Sequence, residues 1–291
     1  MQPKGILIPV GGAEDKGTDL EAGIIERNRL HFFEIGILKT ITSLLPTGPE
    51  SRIEVITTAS MIPDEVAENY TSAFHKLGFD NVGHMRIRTR EDVPQYMDRL
   101  QTCHCIMFSG GNQLRLSSIF GGTAFLDLLR QRYEQEVFVV AGTSAGAMAM
   151  SNNMIYEGNA GRAHLKGEVR MTTGLGFMNH VIIDSHFDKR GRFSRLAQAV
   201  ASNPGAIGIG LGEDTGIIVR NGADIEAIGS GAVTVVDGRN ILHNNIADIE
   251  FGTPISVENL IVHILSKGNS YNIQSHVYFA GEMSQANTDL D

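Results

Sequence analysis

Short apolar runs alternate with longer amphipathic stretches over the first half of the chain. The runs are seven to nine residues long and bounded by polar or glycine residues, which indicates buried strands at 5–12, 52–60, 82–88 and 105–111. The intervening stretches repeat apolar residues every three or four positions, which predicts helices at 27–45, 63–79 and 91–101. This alternation predicts an α/β fold with a mainly parallel sheet flanked by helices.

The pattern changes in the second half, where strand-like runs follow one another with few helices between them. These runs cover 180–185, 206–212, 216–222 and the alternating stretch 224–238. We expect hairpins here to extend the sheet toward the C-terminus. No internal repeat or linker divides the chain, so residues 1–281 are predicted to form one domain, and the polar tail 282–291 is expected to be loosely held.

Composition narrows the class of protein. With 42% hydrophobic and 20% charged residues over 291 positions, the chain can bury a substantial core. A formal net charge of -9 argues against broad binding to nucleic acid or to an anionic membrane surface. No apolar stretch approaches the roughly 20 residues that cross a bilayer, and the first residues lack a secretory apolar region. We therefore expect a cytoplasmic protein.

The two cysteines do not predict a disulfide or a metal site. Cys103 and Cys105 are separated by one residue, a spacing that suits neither. In an extended segment their side chains would point the same way. We expect both to be reduced core residues.

Candidate chemistry lies directly after the strand-like runs, because ligands of open α/β sheets gather at the carboxyl ends of parallel strands. One such stretch, GTSAG at 142–146, matches G-x-S-x-G and would lift the hydroxyl of Ser144 out of a sharp strand-to-helix turn. The helix that follows directs backbone N–H groups toward developing negative charge. A purely structural glycine turn is the alternative, but the position between strand and helix favours a nucleophile.

A serine nucleophile needs a base and an acid that orients it. Among ten histidines, His186 is the one at a predicted strand end with an acidic residue two positions away. Glu213 and Asp214, which follow the run 206–212, are both candidates for the acid. The sequence pattern leaves these two carboxylates open.

Two further stretches could bind substrate. A basic cluster next to His186 is either a solvated helix start or a pocket for substrate carboxylates; its members are Lys189, Arg190, Arg192 and Arg195. The loop 109–113 is either an ordinary turn or a source of an oxyanion-hole N–H and of the amides of Asn112 and Gln113. The segment 9–17 has neither G-x-G-x-x-G nor a P-loop lysine, so no nucleotide site is predicted there.

Four motifs in order resemble the cyanophycinases, which belong to a serine peptidase family that also contains the α-aspartyl dipeptidases. The motifs are SGGNQ, GTSAGA, DSHFDKRGRFSR and GIGLGEDTG, and the similarity runs from residue 5 to residue 222. The resemblance implies a flavodoxin-like fold similar to class I glutamine amidotransferases, a homodimer, and no metal or organic cofactor. It also implies hydrolysis of cyanophycin, a polyaspartate with arginine on each β-carboxyl, to β-aspartyl-arginine dipeptides released from the chain end.

The resemblance assigns roles to individual residues. Ser144 is the nucleophile, His186 the general base and Glu213 the orienting acid. The positions that correspond to substrate binding are Gln113, Asp184, Arg190, Arg192 and Arg195. Where the cyanobacterial-type motif has glutamine, this chain has Ser185, which leaves the triad unchanged but alters a substrate-binding position. We further expect the backbone N–H groups of Gly111 and Ala145 to form the oxyanion hole, and Asn112 to contact substrate.

Two other functions stay open from the sequence. The first is a dipeptidase for short aspartyl peptides, with a similar elbow and base. The second is a binding protein that keeps the pocket without turnover. In each case the segment 152–176 is expected to form a mobile wall of the pocket.

Overall fold

Five parallel strands form the centre of the fold. The computed structural model describes residues 2–17 and 36–281, and its first five strands are β1 (Ile6–Val10), β2 (Ile53–Ile56), β3 (Val82–Met85), β4 (Cys105–Phe108) and β5 (Val139–Thr143). They pair in the spatial order β1-β5-β4-β2-β3. Every residue of β2, β4 and β5 is buried, as expected for strands covered on both faces.

Helices cover both faces of this sheet. The α-helices in the described part of the chain are α1 (Ile37–Ser43), α2 (Pro63–Lys76), α3 (Met97–Thr102), α4 (Gln113–Phe120), α5 (Ala124–Gln135), α6 (Ala145–Ala149) and α7 (Phe193–Ser202). Three 3₁₀ turns cover Gly48–Glu50, Arg90–Tyr96 and Ala160–Arg162. Alternate strand residues point to opposite faces, so α1 and α2 pack with one core cluster and α4 to α7 with the other.

The predicted helices agree with these bounds to different extents. The helix predicted at 63–79 is α2. The prediction at 91–101 divides into a 3₁₀ turn that contains Pro94 and the short helix α3, since proline lacks the N–H that a continuous helix needs. Of the prediction at 27–45, residues 27–35 lie outside the described residues, as does the predicted tail at 282–291.

Antiparallel strands extend the central sheet beyond β1, as predicted. They are β10 (Thr215–Arg220), β11 (Asp224–Gly229), β14 (Ser270–Asn272) and β15 (Val277–Phe279). β10 pairs with β1, and the others follow in turn, giving a sheet of nine strands. β1 therefore lies between the parallel and the antiparallel half.

A second sheet was not predicted. It contains β8 (Val181–Asp184), β9 (Ile207–Leu211), β12 (Val233–Asp237) and β13 (Ile261–Leu265) in the order β13-β12-β9-β8, with β8 and β9 parallel. Of the later strands, these four therefore do not extend the central sheet. The run 224–238 is divided between the two sheets at Gly229, which has φ +90 and lies so close to Asp214 that a Cβ would be 2.1 Å from that residue's carbonyl oxygen.

The predicted pocket wall at 152–176 forms a two-stranded hairpin. Its strands are β6 (Asn153–Glu157) and β7 (Arg170–Thr173), with an irregular register between Ile155 and Glu157.

None of the helices within residues 2–17 and 36–281 has the length and apolar character that a bilayer crossing requires.

Cys103 and Cys105 are both buried free thiols, but they do not point the same way. Cys103 follows α3 and packs with Phe108 in one core cluster, whereas Cys105 begins β4 and packs with Met107 in the other. The prediction failed because only Cys105 is in the strand. Burial raises the pKa of Cys103 to about 12 and raises that of Cys105 as well, so both thiols stay protonated at neutral pH.

Candidate active site

Ser144 lies at the sharp turn between β5 and α6. Its backbone has φ 50 and ψ -106, in the left-handed half of conformational space that is strained for a residue with a side chain. Glycine on either side makes the turn possible: a Cβ on Gly142 would lie 2.8 Å from the carbonyl carbon of Gly146, and one on Gly146 would lie 2.6 Å from the carbonyl oxygen of Phe108. The G-x-S-x-G pattern thus produces an elbow that holds the serine outside the strand.

A line of hydrogen bonds joins Ser144 to His186 and Glu213. Nε2 of His186 lies 3.1 Å from Oγ of Ser144, and Nδ1 lies 2.8 Å from Oε1 of Glu213. With Nδ1–H donated to the carboxylate, Nε2 is the acceptor for the serine proton. The side chains of His186 and Glu213 are 15% and 19% exposed, so the group is shielded but open to solvent at one edge. This is the arrangement of a nucleophile, a base and an orienting acid.

The geometry distinguishes the two carboxylates that the sequence left open. Glu213 faces the imidazole, whereas Asp214 holds two loops together. Oδ1 of Asp214 accepts from the N–H of Asp15 at 3.2 Å, and Oδ2 accepts from the hydroxyl of Ser230 at 2.6 Å. Only Glu213 of the two is placed to orient the histidine.

The electrostatic surroundings suit a base that is neutral at rest. Burial lowers the pKa of His186 below its ordinary value, and the charges of Arg190 and Arg192 lower it further against the opposing effect of Glu213. Burial alone would raise the pKa of Glu213, but hydrogen bonds from His186 and Lys189 outweigh that effect and lower it. At neutral pH the imidazole is therefore unprotonated and the carboxylate ionised, as proton abstraction from a serine requires.

The two residues predicted to form the oxyanion hole belong to segments that adjoin Ser144. Ala145 is the first residue of α6, so no preceding helical turn supplies an acceptor for its N–H. The loop that contains Gly111 approaches from β4: a Cβ on the adjacent Gly110 would lie 3.4 Å from Cβ of Ser144. Gly111 itself has φ +136 and no room for a side chain, because a Cβ there would lie 2.1 Å from the carbonyl oxygen of Ala59. The oxyanion role of the two groups stays a prediction.

The basic segment after β8 is divided between the interior and the surface. Asp184 is fully buried and pairs with Arg192 at 3.1 Å and with Nε of Arg195 at 2.7 Å. Burial lowers the pKa of Arg192 to about 10, which still leaves it charged at neutral pH. Arg190 and Lys189 are exposed, and Nζ of Lys189 lies 3.0 Å from Oε2 of Glu213.

Three other predicted substrate-binding residues contact the protein itself. Ser185 is buried with its hydroxyl 3.3 Å from the sulfur of Met148. The side chain of Asn112 caps α4, and the amide of Gln113 donates to the carbonyl oxygen of Ile155 at 2.9 Å, which ties the loop to β6. Direct contact of these residues with a substrate stays a prediction.

Sequence reasoning missed one buried carboxylate beside the elbow. Glu14 is 4% exposed, and its Oε2 accepts from the hydroxyl of Thr143, the residue before the nucleophile, at 2.5 Å. A signal was present, because Glu14 follows the first strand-like run, where chemistry is expected in this class of fold. Among the side chains that the structure describes, no group of three or more His, Cys, Asp or Glu is arranged to hold a metal ion.

Comparison with known proteins places the site in a family. The sequence matches Peptidase family S51 over residues 33–251, which is most of the chain. This chain belongs to peptidase family S51. Members of family S51 are serine hydrolases, in agreement with the hydrogen-bonded serine, histidine and glutamate.

Curated relatives are identical to this chain at about a third of the aligned positions. A protein named cyanophycinase from Synechococcus elongatus is 34% identical over 275 residues, covering 94% of this chain and 80% of the relative. A protein of the same name from Geminocystis herdmanii is 34% identical over 278 residues, covering 94% of this chain and 96% of the relative. Another from Trichormus variabilis is 34% identical over 272 residues, covering 93% of this chain and 86% of the relative.

Solved structures confirm the fold. A peptidase from an acI-B1 Actinobacterium superimposes with a TM-score of 0.64 at 19% identity, covering 93% of this chain and 98% of that one. A putative peptidase E from Listeria monocytogenes EGD-e gives a TM-score of 0.51 at 16% identity, covering 78% and 98%. The α/β architecture predicted for this family S51 member, with a mainly parallel core sheet, is therefore confirmed.

Proposed function

We propose that this protein hydrolyses cyanophycin to β-aspartyl-arginine dipeptides through an acyl-enzyme on Ser144. The observation that carries the proposal is the hydrogen-bonded line from Ser144 through His186 to Glu213. Support for the substrate comes from the relatives named cyanophycinase, which are 34% identical over 94% of this chain.

The geometry suits acyl transfer. As Oγ of Ser144 attacks a main-chain aspartyl carbonyl, Nε2 of His186 accepts its proton and Glu213 stabilises the resulting imidazolium. The N–H groups of Gly111 and Ala145 donate to the oxygen that gains negative charge. The imidazolium then gives its proton to the leaving amine, and a water molecule activated by the same histidine hydrolyses the acyl-enzyme.

Charge near the site favours a substrate rich in carboxylates. Each repeating unit of cyanophycin carries the free carboxylate of its arginine. The exposed guanidinium of Arg190 follows His186 by four residues and can form a bidentate pair with such a group. The partly buried Arg192 and the buried Arg195 would support that surface by fixing the segment that carries it.

Incubation of the purified protein with cyanophycin, followed by mass analysis of the soluble product, tests the proposal. We expect β-aspartyl-arginine as the product and no loss of activity on treatment with a chelator. The Ser144→Ala variant should release no dipeptide while it keeps the circular dichroism spectrum and melting temperature of the wild type. Hydrolysis by the Ser144→Ala variant would contradict the serine mechanism.

The same preparation separates the two alternatives. A dipeptidase for short aspartyl peptides would cleave Asp-X dipeptides and leave the polymer intact. A binding protein without turnover would leave Ser144 unmodified by a fluorophosphonate probe, because an unactivated serine reacts poorly.

We also propose a homodimer in the cytoplasm, and light scattering on a size-exclusion column measures the oligomeric state.

A further inference from the structure

The loop that leaves β1 holds the segments of all three active-site residues. The carbonyl oxygen of Val10 accepts from the N–H of Ser144, that of Gly11 from the N–H of His186, and that of Gly12 from the N–H of Asp214, each at 2.8 Å. Three successive carbonyl groups, at the end of β1 and the start of the loop, thus bind the nucleophile segment, the base segment and the acid segment. The relative position of these segments depends on this loop.

Two glycines allow the loop to come this close. A Cβ on Gly11 would lie 2.0 Å from the carbonyl oxygen of Gly212, and a Cβ on Gly12 would lie 2.4 Å from Cε1 of His186. No larger residue fits either position without moving the base or the acid segment. The loop therefore packs directly against the imidazole.

Glu14 fixes this loop to the nucleophile strand. One carboxylate oxygen accepts from the hydroxyl of Thr143 at 2.5 Å, and the other accepts from the hydroxyl of Tyr70 and lies 2.9 Å from Nζ of Lys16. Thr143 directly precedes the strained Ser144. A strained backbone persists only where neighbouring contacts hold it, and the bond to Thr143 holds the N-terminal side of this elbow.

We propose that Glu14 is a positioning residue for the nucleophile, which acts through the hydroxyl of Thr143 and not on the substrate. The inference rests on the serine hydrolase chemistry of the proposed function, but not on the choice of cyanophycin as substrate. It gives a role to the segment 9–17, to which the sequence pattern assigned none.

The role calls for an ionised carboxylate. An ionised carboxylate only accepts hydrogen bonds, which matches the hydroxyl groups and the ammonium group around it. Burial alone would raise the pKa of Glu14, but the charge of Lys16 and the hydrogen bonds from Thr143 and Tyr70 outweigh it and lower the pKa. A glutamine at this position would present an NH₂ group to donors and weaken the contact.

The test measures the rate at which a fluorophosphonate probe labels Ser144, a readout that needs no peptide substrate. We expect Glu14→Gln and Thr143→Val to slow labelling by about 10- to 100-fold, because small displacements of a nucleophile have effects of that size. Thr143→Ser, which keeps the hydroxyl, should restore most of the rate. Because the two losses share one contact, the double variant should be no slower than the slower single variant.

The matched control is Tyr70→Phe, which removes the hydrogen bond to the other oxygen of the same carboxylate and leaves the bond between Glu14 and Thr143 in place. We expect it to slow labelling several-fold less than Thr143→Val. Equal losses in the two variants, or wild-type labelling by Thr143→Val, would overturn the proposal, since Glu14 would then act only on the general stability of the loop. If Glu14→Gln does not fold, the three variants at Thr143 and Tyr70 decide the question.

The result is independent of the proposed substrate. If the wild type is labelled at Ser144 but leaves cyanophycin intact, the proposed function fails and the comparison of labelling rates still stands. If the polymer is cleaved and the rates do not separate, only the role of Glu14 fails.

Discussion

Two kinds of basic side chain share the segment 184–195. Arg192 and Arg195 are turned inward and enclose the fully buried Asp184, whereas Lys189 and Arg190 are exposed. The difference follows from where each residue lies. Asp184 ends β8, and α7 begins at Phe193, so the helix carries Arg195 back over the end of the strand.

A run of like charges in the sequence can thus contain two groups of side chains with different roles. A buried carboxylate needs cationic partners, and two arginines that donate several hydrogen bonds to one carboxylate form an internal structural unit. The charges of the exposed pair act on the active site, since Arg190 lowers the pKa of His186 and Lys189 lowers that of Glu213. Changes to the inner group should therefore affect folding, and changes to the outer group should affect catalysis and its pH dependence.

The largest effect is expected from Asp184→Asn. The guanidinium groups of the buried Arg195 and the partly buried Arg192 would lose the charge that compensates them, which should lower the free energy of unfolding by about 3–5 kcal/mol. Denaturant unfolding followed by circular dichroism measures the loss. A cost below about 1 kcal/mol would show that the ion group of Asp184, Arg192 and Arg195 does not stabilise the fold and so does not differ in that respect from the exposed Lys189 and Arg190.

Arg195→Met should have a smaller effect on the same quantity. Asp184 would keep Arg192 as its partner, so the loss is limited to the two hydrogen bonds from Arg195 to Asp184 and the one to the carbonyl oxygen of Gly158, at a cost of about 2–3 kcal/mol. The same unfolding measurement checks the order of the two variants. A cost larger than that of Asp184→Asn would contradict this account of the ion group.

Arg190→Gln should leave stability within about 0.5 kcal/mol of the wild type, since the side chain is exposed. On the polymer we expect KM to rise by about 10-fold, because the charge-assisted pair proposed between Arg190 and a substrate carboxylate is lost.

The same variant should also change the pH dependence. Loss of the nearby positive charge makes protonation of His186 easier and raises its pKa. The base works only when neutral, so the acid limb of kcat against pH should move to higher pH. If neither KM nor the acid limb of kcat against pH changes, Arg190 acts on neither the substrate nor His186.

The smallest effect is expected from Lys189→Met. The side chain is 66% exposed, so solvent screens its ion pair with Glu213, and the cost in stability is under about 1 kcal/mol. The variant should raise the pKa of Glu213 toward its ordinary value and lower kcat by less than about 3-fold. The difference from the wild type should fall as salt is added. A loss that does not change with salt would indicate a packing role for Lys189 instead.

Much of the fold could be predicted because local pattern decides it. The strands at 5–12, 52–60 and 105–111 and the elbow at Ser144 follow from short apolar runs and from glycine spacing, both of which are properties of neighbouring residues. The candidate triad could be proposed because its members follow strand-like runs. The pattern alone left the choice between Glu213 and Asp214 open, because it depends on which side chain faces His186 in space; the family resemblance assigned Glu213.

What could not be predicted depends on contacts between distant parts of the chain. The alternating run 224–238 gives no sign that Gly229 sends its two halves into different sheets. The burial of Arg195 depends on α7 crossing the end of β8, and the role inferred for Glu14 depends on its contact with Thr143, which lies 129 residues further along the chain. Hydrophobic periodicity depends only on residues that are close in sequence, so it carries no information about such distant pairs.

The hydrogen bonds around β1 also bear on the order in which the protein is made and folded. The contact between Asp15 and Asp214 spans 199 residues, and the strand at the start of the chain must pair with β10 as well as with β5. Contacts of such long range carry a high loop-closure cost and form late in folding. A nascent chain that ends before Glu213 lacks the proposed acid, and it also lacks Asp214, whose N–H makes the last of the three backbone contacts to the segment after β1. We therefore expect hydrolytic competence to arise only after synthesis has passed that residue.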